Sequence, residues 1–173
     1  MAARSAHGRV RLPRFPDAGY ARRRYRLNVE AIMTRQLVTV EMDDTLAHLQ
    51  ALFEMHGFHH LLVIDHRRVV GVISDRDMLR NLSPFIGKRV EREQDVDTLK
   101  RKAHQLMTRA LISIGAEASI QEAARILIES KVSCLPVLDE QGEARGLVTW
   151  RDLLSALADE VRPEDSGKAR EVG

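Results

Sequence analysis

The chain is written twice. Ile32-Met33-Thr34-Arg35 returns as Leu106-Met107-Thr108-Arg109, and Leu37-Val38-Thr39-Val40 returns as Leu111-Ile112-Ser113-Ile114, both at an offset of 74. Leu61-Leu62-Val63-Ile64-Asp65 is answered at that offset by Leu135-Pro136-Val137-Leu138-Asp139. Gly71-Val72-Ile73-Ser74-Asp75-Arg76-Asp77 is answered by Gly146-Leu147-Val148-Thr149-Trp150-Arg151-Asp152 at an offset of 75. The slip of one residue falls in the turn Glu140-Gln141-Gly142-Glu143, where an insertion disturbs no packed element. A copy of roughly 50 residues buries too little surface to stand alone, so the pair must be the folding unit.

Within each copy the residue pattern gives the elements. Asn28 caps a short helix ending before Thr34-Arg35, and Leu37–Val40 reads as a β-branched strand. Asp43-Asp44-Thr45 opens a helix whose apolar face is Leu46, Leu49 and Phe53, and Gly57 stops it. Two apolar strands follow, joined by the turn Asp65–Arg68, and Ser74 caps a second helix with Met78, Leu79 and Leu82 inward. In the second copy Ser119 and Glu122 have capping-box spacing. Trp150, Leu153, Leu154, Leu157, Ala158 and Val161 form one stripe on the last helix. The fold class is therefore α/β (α+β), with two β-α-β-β-α repeats packed through their sheets. The expected divisions are a basic, flexible arm over 1–27, the first repeat over 28–82 and a charged connecting helix over 83–105. The second repeat is expected over 106–161 and a disordered polar tail over 162–173.

Composition narrows the class. Hydrophobic residues make up 44% and charged residues 30%, as in a soluble globular protein. No apolar run approaches the ~20 residues that span a bilayer. The single cysteine, Cys134, excludes an intrachain disulfide and fits a reducing, cytoplasmic setting. The net charge of +2 hides a basic first stretch: residues 1–26 carry eight Arg and one Asp. Pro13, Pro16 and Gly19 break the amphipathic helix a transit peptide needs. The arm is expected to be solvated, with nucleic acid as its alternative partner.

The two segments Gly-x-x-(Ser/Thr)-x-x-Asp carry the chemistry. A strand ending at a hydroxyl N-cap, with Asp on the first helical turn, gathers free N–H groups, a hydroxyl and a carboxylate, as a ribose phosphate requires. The same residues serve equally as helix caps, and the two roles are compatible. Arg76 and Arg151 stand just before each aspartate, where a guanidinium can clamp a phosphate. Thr39 and Ser113 occupy matching places in the first strands and are expected to line a cleft; Val38, Val40, Ile112 and Ile114 are candidates to flank an adenine, with core packing as their alternative role. His56, His59 and His60 suggest a metal cluster, but neighbours on a strand point to opposite faces and nothing completes a closed site. His60 matches Cys134 ahead of the second strand and is the expected cleft residue of the three. Cys134 lies in an apolar run that would leave it inert. No GxSxG, HExxH, Walker loop or dinucleotide fingerprint occurs, so no catalytic residue is assigned and the chain is expected not to be an enzyme.

With these segments in hand, the chain resembles a tandem pair of cystathionine-β-synthase-type (CBS) domains, together called a Bateman module. The Met-Thr lead-ins, the strand Leu135–Asp139 and the paired Gly-x-x-(Ser/Thr)-x-x-Asp segments carry the resemblance, over about residues 28–161. It implies regulatory binding of AMP, ADP, ATP or S-adenosylmethionine in two clefts between the repeats, with no required cofactor, in modules that associate as flat homodimers. It implies that Ser74 and Thr149 face phosphate and that Asp77 and Asp152 hold the ribose hydroxyls. Pro136 replaces Leu62, and Ser133-Cys134 replace His59-His60, so the two clefts should differ in affinity. The function expected is an energy or metabolite sensor acting on a separate effector protein. The alternative is a ligand-free adaptor that uses the Arg-rich arm.

Overall fold

The computed structural model describes residues 27–161. The polar tail expected beyond them, and the basic arm up to residue 26, lie outside the described residues. Helix α1, Val29–Ile32, starts where the Asn28 side chain accepts the Ala31 N–H at 3.2 Å. Strand β1 is Thr39–Glu41, and helix α2, Leu46–His56, is capped by Thr45 and closed by Gly57 at φ 64°. A left-handed closing residue frees the last turn without a Cβ clash, and glycine adopts it at no steric cost. Strands β2, His60–Asp65, and β3, Arg68–Ser74, form a hairpin that runs into helix α3, Asp75–Asn81.

The charged segment after α3 holds helix α4, Glu93–Asp97, and a 3-10 turn, Thr98–Lys100, rather than one connecting helix. Helix α5, Ala103–Leu106, is the second repeat's lead-in and begins inside the stretch expected as connector. Then come helix α6, Ile120–Ser130, strands β4, Cys134–Leu138, and β5, Ala144–Thr149, and helix α7, Trp150–Val161. Ser119 caps α6 by accepting the Glu122 N–H at 3.2 Å.

The sheets differ in one respect from the sequence pattern. In the first, β1 runs parallel to β2 and β2 antiparallel to β3. In the second, β4 pairs with β5 alone, and the expected strand 111–114 shrinks to a single bridge from Ile114 to Val137. Ile114 N–H reaches Pro136 O at 3.0 Å and Leu138 N–H returns to Ile114 O at 3.0 Å. Pro136 cannot donate a ladder hydrogen bond, which helps keep that pairing short.

The cores show how the halves are joined. One cluster holds Leu46, Leu49, Leu61, Val63 and Ile73 from the first repeat together with Ala103, Leu106 and Met107. The other holds Leu127, Leu135, Val137 and Val148 together with Val29 and Met33. Each repeat's lead-in helix is thus buried in the core of its twin. Backbone bonds fix the exchange: Val29 N–H donates to Ala118 O at 2.8 Å, and Ala103 N–H to Asp44 O at 2.8 Å.

The same crossing explains the two glycines that open the functional segments. A Cβ on Gly146 would stand 2.5 Å from Met33 Sδ, and one on Gly71 would stand 2.6 Å from Met107 Sδ. The Met of one lead-in fills the space over the glycine of the other repeat. Beside it, Thr34 and Leu147 exchange backbone hydrogen bonds at 2.9 and 3.0 Å, and Thr108 and Val72 do so at 2.9 and 3.2 Å. At the far end, the hairpin tips meet through Arg67 Nε and Glu143 Oε1 at 3.2 Å.

Candidate functional site

Crossed lead-ins create clefts with mixed walls. The larger, of about 580 Å³, sets Thr34, Leu37 and Val38 of the first repeat against Leu147, Thr149 and Asp152 of the second. The smaller, of about 170 Å³, sets Thr108, Leu111 and Ile112 of the second against Val72, Ser74 and Asp77 of the first. Each aspartate therefore shares a cleft with the segment that follows the lead-in helix of the other copy.

The hydroxyl and aspartate of each segment lock together. Asp77 Oδ2 accepts from Ser74 N at 3.0 Å and from Ser74 Oγ at 2.6 Å, while Asp77 N–H returns to Ser74 Oγ at 3.2 Å. Asp152 Oδ2 accepts from Thr149 N at 2.7 Å and Thr149 Oγ1 at 2.8 Å, and Asp152 N–H lies 3.4 Å from Thr149 Oγ1. These are capping boxes, so the structural role of both pairs is real. Only Oδ2 is committed to them. Asp77 Oδ1 lies 3.8 Å from Arg80 Nη1, and Asp152 Oδ1 has no hydrogen-bond partner among the described residues. A carboxylate whose second oxygen remains available can still accept from a diol.

The four candidate adenine-flanking residues divide between cleft and core. Leu37, Val38, Leu111 and Ile112 line the clefts, whereas Val40 is 2% exposed and Ile114 7% exposed, each within a core cluster. Thr39 and Ser113 are solvent-exposed and lie outside both linings. Side chains alternate across a strand, so Val40 turns into the first core while the chain before β1 borders the cleft. Arg76 and Arg151 both border the larger cleft, and Cys134 and Pro136 the smaller. Sequence reasoning passed over Thr34, Phe58 and Trp150, which also line the larger cleft. Thr34 had a signal, since it belongs to the duplicated Met-Thr lead-in. Phe58 and Trp150 had none, because Val132 and Asp75 stand at the matching places.

His60 and Ser74 border both clefts, as does Ser133, whose Oγ lies 2.8 Å from His60 Nε2. This hydrogen bond links the repeats across the divide. Burial holds the His60 imidazole below its ordinary value of 6.5, with the attraction of Asp75 opposing and His59 adding to the shift. His59 meets Asp75 instead, Nδ1 to Oδ2 at 2.8 Å. Burial raises the Asp75 carboxyl, but the His59 hydrogen bond and the Arg76 N–H outweigh it and the group stays below the ordinary carboxylate value. The adjacent histidines thus have separate partners, and no group of three metal-ligating side chains forms among the described residues. Cys134 is buried, which pushes its thiol up to about 12. No helix among the described residues is long and apolar enough to cross a membrane.

Comparison with known proteins agrees with this geometry. The CBS domain family matches residues 29–84 and 103–159. A CBS domain-containing protein of Dictyostelium discoideum is 31% identical over 138 residues, covering 78% of this chain and 94% of that one. Among solved structures, CBSX2 in complex with AMP is 25% identical with a TM-score of 0.64, covering 78% of this chain and 98% of its own. The CBS domain pair of protein MJ0100, solved with 5′-methylthioadenosine and S-adenosyl-L-methionine, shares the fold at 19% identity and a TM-score of 0.65, over 78% of this chain and 98% of its own. On the duplicated segments, the crossed architecture and these matches together, the chain belongs to the CBS domain family, as a tandem pair.

Proposed function

We propose that the chain is a regulatory module that binds an adenosine-containing ligand between its repeats and transmits occupancy to a separate effector protein. The observation that carries this reading is the larger cleft itself. It combines the apolar Leu37 and Val38 with Asp152, whose Oδ1 is uncommitted, and with the guanidinium-bearing Arg76 and Arg151. Leu37 and Val38 suit the face of an adenine, Asp152 the ribose hydroxyls, and Thr149 with the arginines a phosphate. Asp77 and Ser74 are their counterparts beside the smaller cleft. The AMP complex of CBSX2 and the S-adenosyl-L-methionine complex of MJ0100 support the adenosine class.

The cleft walls come from both repeats, so a bound ligand would favour whichever relative placement of the halves fits it better. Such a shift requires only different affinities for two states. Homodimerisation in the cytoplasm completes the proposal. Leu79 on α3, expected to point inward, and Leu154 on α7, expected on the core stripe, are both exposed at matching places in the repeats; they support self-association, and a sedimentation mass of twice the chain checks it.

Thermal unfolding with AMP, ATP and S-adenosylmethionine tests the ligand. At 100 times Kd, a binder of the native state stabilises it by about 2.7 kcal/mol. Unchanged melting with all three would refute adenosine sensing.

A further inference from the structure

The two clefts correspond through the repeat, and the folded chain makes them more unequal than the substitutions between the copies imply. The larger, at about 580 Å³, falls within the ~300–1,000 Å³ of small-molecule sites, and the smaller, at about 170 Å³, falls below it. Where the larger cleft has Gly57, the smaller has Lys131. The arginines deepen the difference. Arg76 is the repeat counterpart of Arg151, and strict twofold symmetry would place it on the smaller cleft. It lines the larger one instead, with Arg151. Neither arginine has an ion pair among the described residues, so both remain available to an anion. Asp75, the nearby carboxylate that would oppose an anion, is engaged by His59 at 2.8 Å.

We infer that each chain binds one nucleotide, in the larger cleft, with Arg151 of one repeat and Arg76 of the other on the same phosphate group. The inference rests on the nucleotide-binding reading above and assigns its stoichiometry and its cross-repeat contact. A phosphate held from both sides ties α3 to α7. Arg76 thereby makes binding sensitive to how the two repeats sit, which an anion held by one repeat would not report.

The test is isothermal titration of the full-length chain with AMP and then ATP, each variant first shown by its far-UV spectrum and melt to be folded. The expected result is one nucleotide per chain. Arg76→Ala and Arg151→Ala should each weaken binding on the order of tenfold, the scale of one charge-assisted hydrogen bond. Asp152→Asn should weaken the site by a similar factor and leave no second class of tight sites, while Lys131→Gly, on the smaller cleft, should titrate like the wild type. Two nucleotides per chain, or a tight class surviving in Asp152→Asn, would overturn the single-cleft assignment and leave nucleotide binding intact. Wild-type affinity in Arg76→Ala would overturn the cross-repeat clamp. Absence of heat with both nucleotides, together with no melting shift, would overturn the nucleotide-binding reading and this inference with it.

Discussion

Replacing Gly146 by alanine tests the crossed architecture directly, because the ordinary expectation has the opposite sign. Gly146 lies in β5 opposite Val137 and is not among the glycines with positive φ. At such a position an alanine normally stabilises by about 0.4–1 kcal/mol through the unfolded chain. Here the new methyl would stand 2.5 Å from Met33 Sδ, 2.8 Å from its Cγ and 3.1 Å from its Cβ, whereas carbon contacts settle near ~3.5–4.0 Å. Met33 cannot simply swing away. It is 8% exposed, packed in the second core, and the next residue is bonded to the Leu147 backbone. Overpacking of this kind costs about 1–3 kcal/mol, so the net loss should be about 1–2 kcal/mol once the chain-entropy gain is set against it. In a chain of this length each kcal/mol lowers the melting temperature by about 2–4 °C.

The assay is urea unfolding of four proteins: wild type, Gly146→Ala, Met33→Ala and the double variant. Met33→Ala alone opens a cavity and should cost about 2–5 kcal/mol. In that background the added methyl enters vacated space, so Gly146→Ala should cost nothing or stabilise, giving a coupling of about 1 kcal/mol or more. Equal effects of Gly146→Ala in both backgrounds, or stabilisation of the wild type, would refute the packing of one repeat's methionine on the other's glycine.

Two further outcomes follow from ionisable groups. Because burial depresses His60 below 6.5, its neutral form favours the native state; that contribution is complete above pH 6.5 and is lost as pH falls through the folded value. Urea midpoints at pH 7.5 and 5.5 should therefore fall less in His60→Leu than in the wild type, and an equal fall in both would remove His60 as the cause. Cys134, with its thiol pushed up to about 12, should resist a thiol reagent at pH 8 until urea unfolds the chain; rapid stoichiometric labelling of the native protein would contradict the burial.

Much of the fold was legible in the residues. The amide cap at Asn28, the hydroxyl caps at Thr45, Ser74 and Ser119, the Gly57 stop and the apolar runs of β2 and β4 are local signals, and the chain obeys them. The duplicated Ser/Thr-x-x-Asp pairs were equally visible, and their capping boxes form as spacing requires. The cleft walls were less so. Matching Thr39 to Ser113 identified equivalent places correctly, but equivalence does not reveal which residues of a short strand meet solvent, core or cavity. Those answers depend on what packs above the strand.

What the sequence by itself determined is the repeat, the elements within it and the chemistry available at its two aspartates. Only the tertiary structure decided which copy serves which. Met33 and Met107 are the same residue in the same local pattern, as are Gly71 and Gly146, so nothing along the chain says whether a lead-in closes its own core or its twin's. Packing makes that choice, sending α1 to the second core and α5 to the first. It also breaks the symmetry the text implies, bringing Arg76 and Arg151 to one cleft of about 580 Å³ and leaving its counterpart at about 170 Å³. Near-identical elements carry near-identical local preferences; the differences between them act only through the neighbours that the fold supplies.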